Sequence, residues 1–339
     1  MARSFTGTVV RSTGSWYDVL AGGETHRCRI RGRLRLSGVR TTNPVAVGDE
    51  VECEAADDGA CAITAVLPRR NYVIRRASNL SKESHILAAN LDQALLLATL
   101  AEPVTPPEFV DRFLVTCEAY RIPAVIALGK ADLAAAAPEE AAAFRATYEA
   151  AGYPVIGVSS RTGEGIDRIR TLLQGRTTLL AGHSGVGKST LVTTLEPGLD
   201  LRTGTISDSH HKGRHTTTFA TMYPLAEGGR IIDTPGIKGF GLIDIEGREL
   251  RHFFPEMMRL SPRCRFYDCS HTHEPGCAVR AAVESGELTP ERYASYQALQ
   301  QEMAAMRDRR EEARRMNKEK VSDTKRRRAG APKGGRRRR

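Results

Sequence analysis

The chain has 339 residues, of which 40% are hydrophobic and 27% charged, enough for two or three domains with buried cores. Neither a run of about 18 apolar residues nor an apolar secretory signal is present, so we expect a cytosolic protein outside the membrane. The formal net charge of +10 lies at the carboxyl end, because residues 307–339 contain 16 Lys and Arg against 5 Asp and Glu.

Residues 1–70 are predicted to form a small β-domain of short alternating segments, which fits a five-stranded barrel of the OB type. Its segment RCRIRGRLRL places an arginine at every second position. In a strand this period of two puts all the guanidinium groups on one face, where they would bind nucleic-acid phosphates. The alternative is a solvated outer face. The arginines are Arg27, Arg29, Arg31, Arg33 and Arg35.

From about residue 90 apolar strands alternate with helices, which predicts a parallel sheet covered on both faces. Strands are expected at LDQALLLATL, PAVIAL, YPVIGVS and TTLLA. Helices are expected after Pro106 and Pro107, from Pro138 to Gly152, and over GIDRIRTLLQG. This domain is assigned residues 71–245.

The stretch LGKADLAA, residues 128–135, follows one of these strands and resembles the base-reading loop of GTPases without its initial Asn. Asp132 would accept hydrogen bonds from guanine N1–H and the 2-amino group, with the Lys130 stem across the ring. A second stretch, VSSRTGEGI, resembles the other guanine loop. Together they predict base contacts from Gly129, Lys130, Ala131, Asp132, Ser159 and Ser160.

GHSGVGKST, residues 182–190, matches the complete P-loop spacing between a strand and a helix. Backbone N–H groups would surround the α- and β-phosphates, Lys188 would reach the β- and γ-phosphates, and Ser189 would ligate Mg²⁺. The predicted phosphate-binding residues are Gly182, His183, Ser184, Gly185, Val186, Gly187, Lys188, Ser189 and Thr190.

Two further segments fit a γ-phosphate switch. DTPG follows an apolar strand, so that Asp233 would hold Mg²⁺ through water and Gly236 N–H would meet the γ-phosphate. GRHTTT supplies a threonine for Mg²⁺, which we assign to Thr217 among the three in this run. Ile237 stands where many GTPases carry the Gln that orients water.

The seven cysteines do not predict a disulfide framework in a cytosolic chain. Cys28, Cys53, Cys61 and Cys117 fit core positions. CRFYDCSHTHEPGC instead groups Cys264, Cys269 and Cys277 with His271 and His273, a soft donor set for one structural Zn²⁺. A long helix is predicted from Thr289 and Pro290.

These motifs together resemble the RsgA (YjeQ) group of circularly permuted, ribosome-associated GTPases over nearly the whole chain. The resemblance rests on the barrel, guanine loops that precede GHSGVGKST and DTPG, GRHTTT, and the cysteine cluster. It implies an α/β fold: a circularly permuted P-loop GTPase domain, an amino-terminal OB-type barrel, and a zinc-binding, helical domain at 246–305. Residues 306–339 are expected to be a basic tail without regular structure that contacts nucleic acid; a solvated tail or acidic lipid are alternatives.

The resemblance also implies residue roles. Zinc is ligated by Cys264, Cys269, His271 and Cys277, with His271 favoured over His273. His215 serves in catalysis with Lys188, and Gly129 replaces the usual Asn, so we expect Gly129→Asn to tighten GDP binding. The implied function is late small-subunit maturation by a monomeric factor whose GTP hydrolysis is slow alone, is stimulated by the subunit and times its release.

Two other functions fit the residues alone. One is an RNA-binding assembly chaperone whose site binds GTP or GDP but turns over poorly, which Ile237 and Gly129 favour. The other is an ATPase, since a P-loop does not select the base.

Overall fold

The computed structural model describes residues 3–31, 43–55, 61–76, 84–199, 220–233, 245 and 247–329. The first five strands form a closed barrel in the order β1-β2-β3-β5-β4, with β4 pairing back to β1. Neighbours are antiparallel except β3 and β5, which are parallel. The predicted five-stranded barrel is confirmed. Its strands are β1 (Arg3–Ser12), β2 (Tyr17–Ala21), β3 (Glu24–Ile30), β4 (Glu50–Ala55) and β5 (Cys61–Val66).

Alternation along the strands fills the barrel with small and branched apolar side chains. Val9, Val19, Cys28, Val51 and Ile63 are each fully buried, while their sequence neighbours are more exposed. The barrel therefore has its own core.

A hairpin that we did not predict follows the barrel. Strands β6 (Tyr72–Arg76) and β7 (Ser84–Ala89) pair with each other, and an isolated parallel bridge joins Val47 to Ala88. The Tyr72 ring packs on Tyr120, so the hairpin lies between the barrel and the next domain.

The α/β domain contains a sheet in the order β10-β9-β8-β11-β13-β12, whose first five strands are parallel. Strand β12 is antiparallel to β13 and also pairs with β1, which joins this sheet to the barrel. The elements are β8 (Gln93–Ala98), α1 (Pro107–Ala119), β9 (Ala124–Leu128), α2 (Ala131–Ala134), α3 (Pro138–Ala151), β10 (Val155–Gly157), α4 (Ile166–Leu173), β11 (Thr177–Gly182), α5 (Lys188–Leu195), β12 (Thr221–Pro224) and β13 (Arg230–Asp233).

Helices cover both faces of the sheet, as expected. Alternate residues of β8 face opposite ways: Leu96 packs with α1 and α3, whereas Leu95 packs with α4 and α5. The continuous apolar strands follow from burial on both sides.

The carboxyl-terminal domain packs on α1 and consists of α6 (Pro255–Leu260), α7 (Ala278–Ser285) and α8 (Pro290–Ala329). Arg292 of α8 is 1% exposed and contacts Asp111 Oδ1 at 2.5 Å and Glu256 Oε1 at 2.9 Å. Burial alone would lower the pKa of Arg292, but these two carboxylates raise it. A buried ion pair thus fastens this domain to the α/β domain.

Helix α8 continues through residues 306–329, where the sequence analysis expected no regular structure. Arg, Glu, Lys, Met and Ala dominate this stretch, and all favour helix once a packed segment has nucleated it. Residues 330–339 lie outside the described residues. Within the described part of the chain, no helix combines the length and apolar character needed to cross a bilayer.

Candidate functional site

The carboxyl ends of the parallel strands place the predicted loops at one edge of the sheet. Gly129 follows β9, Ser159 comes shortly after β10, Gly182 ends β11 and Asp233 ends β13. Because these strands are neighbours in one parallel sheet, their following loops share one crevice whatever their order in the chain.

The P-loop connects β11 to α5 and depends on its glycines. Gly182, Gly185 and Gly187 have φ angles of 154°, 85° and 100°. A Cβ on Gly182 would lie 2.6 Å from Leu97 O, so backbone of the neighbouring strand excludes any side chain there. The loop has the tight form that a phosphate-binding nest requires.

Lys188 lies at the start of α5, with its ammonium folded back over the loop. Its Nζ donates to Gly182 O at 2.8 Å and to His183 O at 3.1 Å. Burial lowers the pKa of Lys188, and the negative charge of Asp233 opposes this shift. The ammonium of Lys188 and the carboxylate of Asp233 therefore lie close enough beside the P-loop to interact through their charges.

The segment between β8 and α1, together with the first turn of α1, borders the P-loop, and the sequence analysis missed this contact. The Phe109 ring meets the His183 ring edge-on at 5.8 Å, and a Cβ on Gly185 would lie 3.5 Å from Pro103. Lys130 Nζ donates to Glu102 O. This part of the chain contacts both the P-loop and the proposed base-reading loop of residues 128–135, called the base loop below.

The two predicted guanine loops meet at Asp132. Its Oδ1 accepts from Ser159 Oγ at 2.5 Å and its Oδ2 from Arg161 Nε at 2.7 Å. These hydrogen bonds hold the pKa of Asp132 below its ordinary value. Ala131 N donates to Val158 O at 3.1 Å, and Ser160 follows Ser159 in the second loop. The carboxylate is an ionised acceptor, which is what guanine donors need.

Gly129 is closely packed. Its N–H donates to Ala98 O at 2.7 Å, and a Cβ here would lie 2.9 Å from Leu97 Cδ1 and 3.2 Å from Thr99 Cγ2. A larger residue must therefore displace the end of the Leu97 side chain. Three other predicted site residues, His215, Thr217 and Gly236, lie outside the described residues.

The cysteine cluster brings together one imidazole and three thiols. The sulfurs of Cys264, Cys269 and Cys277 and one ring nitrogen of His271 all lie within 4.8 Å of one another. His271 Nδ1 is 3.7 Å from Cys264 Sγ and 3.5 Å from Cys277 Sγ. His273 is exposed and bonds Thr272, so His271 is the histidine of this group.

Surrounding groups hold His271 in place. Its Nε2 is 3.0 Å from Ser261 Oγ, while Tyr293 of α8 donates to the His271 carbonyl at 2.7 Å. Burial, with a smaller effect of Arg251, lowers the pKa of His271 and favours the neutral ring that metals bind. Three soft thiols and one oriented imidazole fit a tetrahedral zinc site.

The structure describes three of the five arginines predicted to form one face, the arginine face. The Arg27 and Arg29 guanidinium carbons lie 4.7 and 3.9 Å from the Trp16 ring centroid. Arg31 follows β3 and pairs with Glu54 at 2.5 Å. Arg33 and Arg35 lie outside the described residues. Trp16, which the sequence analysis overlooked, makes this face an aromatic and cationic surface.

Comparison with known proteins agrees with this geometry. The family model described as RsgA GTPase matches residues 66–243, and that described as RsgA N-terminal domain matches residues 6–63. The chain belongs to the RsgA family of GTPases. RsgA from Porphyromonas gingivalis (strain ATCC 33277), named small ribosomal subunit biogenesis GTPase, is 52% identical over 308 residues, 89% of this chain and 98% of that protein.

A second RsgA of the same name, from Bacteroides fragilis (strain YCH46), is 50% identical over 298 residues, 86% of this chain and 95% of that protein. YjeQ from Thermotoga maritima has a similar structure, with a TM-score of 0.71 and 32% identity over 89% of this chain and 99% of that one. YloQ, described as a circularly permuted GTPase, has a TM-score of 0.66 at 30% identity, covering 89% of this chain and 96% of that one. The predicted permuted GTPase fold is confirmed.

Proposed function

We propose that this RsgA-family GTPase binds the small ribosomal subunit and assists its late maturation, with hydrolysis releasing the factor. The observation that carries the proposal is the meeting of the base loop, the second guanine loop and the P-loop at one sheet edge. The partner is inferred from the two relatives above, which are named small ribosomal subunit biogenesis GTPase.

Guanine selection is assigned to Asp132. Its ionised carboxylate, positioned by Ser159, would accept from the N1–H and 2-amino groups that adenine lacks. Lys130 would lie across the base while its ammonium remains near Glu102 O. Gly129, Ala131 and Ser160 complete the proposed base contacts.

Phosphate binding is assigned to residues 182–190. The backbone N–H groups of this loop would surround the α- and β-phosphates, and Lys188 would exchange its two carbonyl acceptors for phosphate oxygens. Gly236 is proposed to meet the γ-phosphate. Mg²⁺ bound with GTP would neutralise phosphate charge, held by Ser189, Thr217 and, through water, Asp233.

Catalysis is assigned to Lys188 and His215. Ile237 cannot orient water, so His215 is proposed to do so when the subunit is bound. The unassisted rate is then low. The rival proposal, a chaperone that binds nucleotide but hardly turns it over, is favoured by the same isoleucine.

The cluster of Cys264, Cys269, His271 and Cys277 is proposed to hold one zinc ion. All four positions of a tetrahedral site would be protein groups, so the metal would be structural. The arginine face and the basic carboxyl end are proposed to bind ribosomal RNA, in a monomeric cytoplasmic factor.

The test of the catalytic assignment is GTP turnover by His215→Ala with purified small subunits. We expect the unassisted rate to change little and the stimulated rate to fall by about 10²-fold or more. Binding of labelled GDP controls for folding. An unchanged stimulated rate would remove His215 from the mechanism.

A further inference from the structure

A second thiol group lies inside the barrel, separate from the cluster around His271. Cys28 and Cys53 are buried, Cys61 is partly exposed, and the three sulfurs lie within 4.8 Å of one another. Apolar residues of the barrel core surround them. The proposed GTPase function uses none of these cysteines.

We propose that Cys28 and Cys61 are a modification site, forming a reversible disulfide that links strands β3 and β5. The two residues are direct register partners on these parallel strands. Neighbouring strands are about 4.8 Å apart, which falls within the Cα separation that a disulfide spans. Cys28 Sγ and Cys61 Sγ approach to 2.7 Å.

A disulfide bond fits the distance between the Cys28 and Cys61 sulfurs better than a shared metal ion does. Sulfurs that share one zinc ion at about 2.3 Å each are separated by roughly 3.8 Å in a tetrahedral site. Cys28 and Cys61 are closer than that. Within the residues the structure describes, the group also holds no fourth metal-binding side chain.

The register also selects the pair among the three thiols. Cys53 lies on β4, where its register partner on β5 is Ile63, whereas Cys61 is opposite Ala55, so Cys53 is not a direct partner of either other cysteine. Cys53 would therefore remain a free thiol beside the bond.

The co-reactant is a hydroperoxide. Cys61 is the accessible member, so its thiol would be oxidised to sulfenic acid while the hydroperoxide is reduced to the alcohol or water. The Cys28 sulfur would then attack the Cys61 sulfur, forming the S–S bond and releasing one water. A small dithiol would return two electrons and two protons and restore both thiols.

Burial controls the rate. It raises the pKa of Cys61 to about 12, so little thiolate exists at neutral pH. Formation should be slow at pH 7 and accelerate about tenfold per pH unit while the pH stays below this value.

The bond would leave the arginine face accessible. Cys28 points into the barrel, whereas Arg27 and Arg29 on either side of it stack on Trp16 outside. The linkage would fix the strand that carries them.

The experiment treats the full-length, zinc-loaded protein with hydrogen peroxide, alkylates free thiols in denaturant, and maps the cysteine peptides by mass spectrometry. We expect a linked Cys28–Cys61 peptide, alkylated Cys53, and a raised thermal unfolding midpoint that dithiothreitol reverses. Cys53→Ala should retain the link and the shift, while Cys61→Ala should lose both.

Three results would overturn the proposal: no linked peptide after prolonged oxidation of folded protein, a link that contains Cys53, or retention of cadmium by the reduced barrel cysteines. Peptides containing Cys264, Cys269 or Cys277 are distinct in sequence, so oxidation there is scored separately. None of these results depends on GTP turnover, so failure of this proposal is distinguishable from failure of the proposed function.

Discussion

Single residues of the proposed base-reading loop, residues 128–135, are expected to set the nucleotide specificity of this GTPase. Asp132 is held by Ser159 and Arg161 from the second loop, 27 and 29 residues further along the chain. The position of Asp132 at this edge of the sheet could be predicted because K-x-D follows a strand. Arg161 could not, since nothing local to an exposed arginine indicates which carboxylate it will meet in the folded chain.

Substitution of Gly129 is expected to change the affinity for GDP. Gly129→Asn should bind GDP several-fold more tightly, because an added amide hydrogen bond contributes about 0.5 to 1.5 kcal/mol. The added Cβ, however, would lie 2.9 Å from Leu97 Cδ1, so the end of the Leu97 side chain must move, which reduces the gain in affinity. Gly129→Ala has the same steric cost without the amide and is the matched control.

Labelled GDP binding measures both variants. Gly129→Asn should bind GDP more tightly than both Gly129→Ala and the native protein. Equal affinities for Asn and Ala would show that another group already supplies the contact.

Among the elements, α8 and α1 join the carboxyl-terminal domain to the α/β domain. Arg292, Tyr296, Leu299 and Met303 form the buried face of α8, and the helix beyond them is charged. Its start could be predicted from Thr289 and Pro290. Its extension to Ala329 could not, since composition alone made residues 306–329 a candidate for disorder and a packed first half supports the helix.

Arg292→Met should lower the free energy of unfolding by about 3 to 5 kcal/mol, because it leaves Asp111 and Glu256 buried without their counter-ion. Denaturant unfolding measures the loss. Arg112→Met is the control: its pair with Glu302 is partly exposed, so its loss should cost about 1 kcal/mol or less. Similar losses for the two variants would show that the buried pair is not the stronger attachment.

Removal of the proposed zinc ion should lower the stability of the same domain. Tyr293 and Tyr296 of α8 bond the carbonyls of His271 and Ser270, so the loop and the helix depend on each other. We expect about one zinc per chain, and a chelator should lower the thermal unfolding midpoint until zinc is restored. Cys269→Ala should behave as the zinc-free protein does. A midpoint insensitive to the chelator, with no zinc bound, would contradict the assignment.

Across the whole molecule, the barrel, the α/β sheet and the carboxyl-terminal domain are connected by direct contacts. Strand β12 joins the sheet to the barrel, and α1 joins it to α8. The three-part organisation could be predicted from motif order. The hairpin of β6 and β7 could not, because its short alternating segments were not separated from the barrel's by any distinct signal.

The proposed RNA binding at the arginine face can be tested through the fluorescence of Trp16, the single tryptophan, which contacts Arg29. Small-subunit RNA should change its fluorescence, and Arg29→Ala should weaken binding and reduce the salt dependence by about one phosphate contact. Arg168→Ala, an exposed arginine on α4, is the charge-matched control. Equal effects of the two variants would indicate general charge rather than this face.

The permuted loops are proposed to form a GTPase site that the small subunit controls. The most direct measurement is GTP turnover by the native chain as purified small subunits are added, with Lys188→Ala as the inactive control. We predict slow turnover alone and a rise of at least about tenfold with subunits, since a partner must complete the catalytic arrangement. Turnover that is the same with and without subunits, or that survives in Lys188→Ala, would contradict the account.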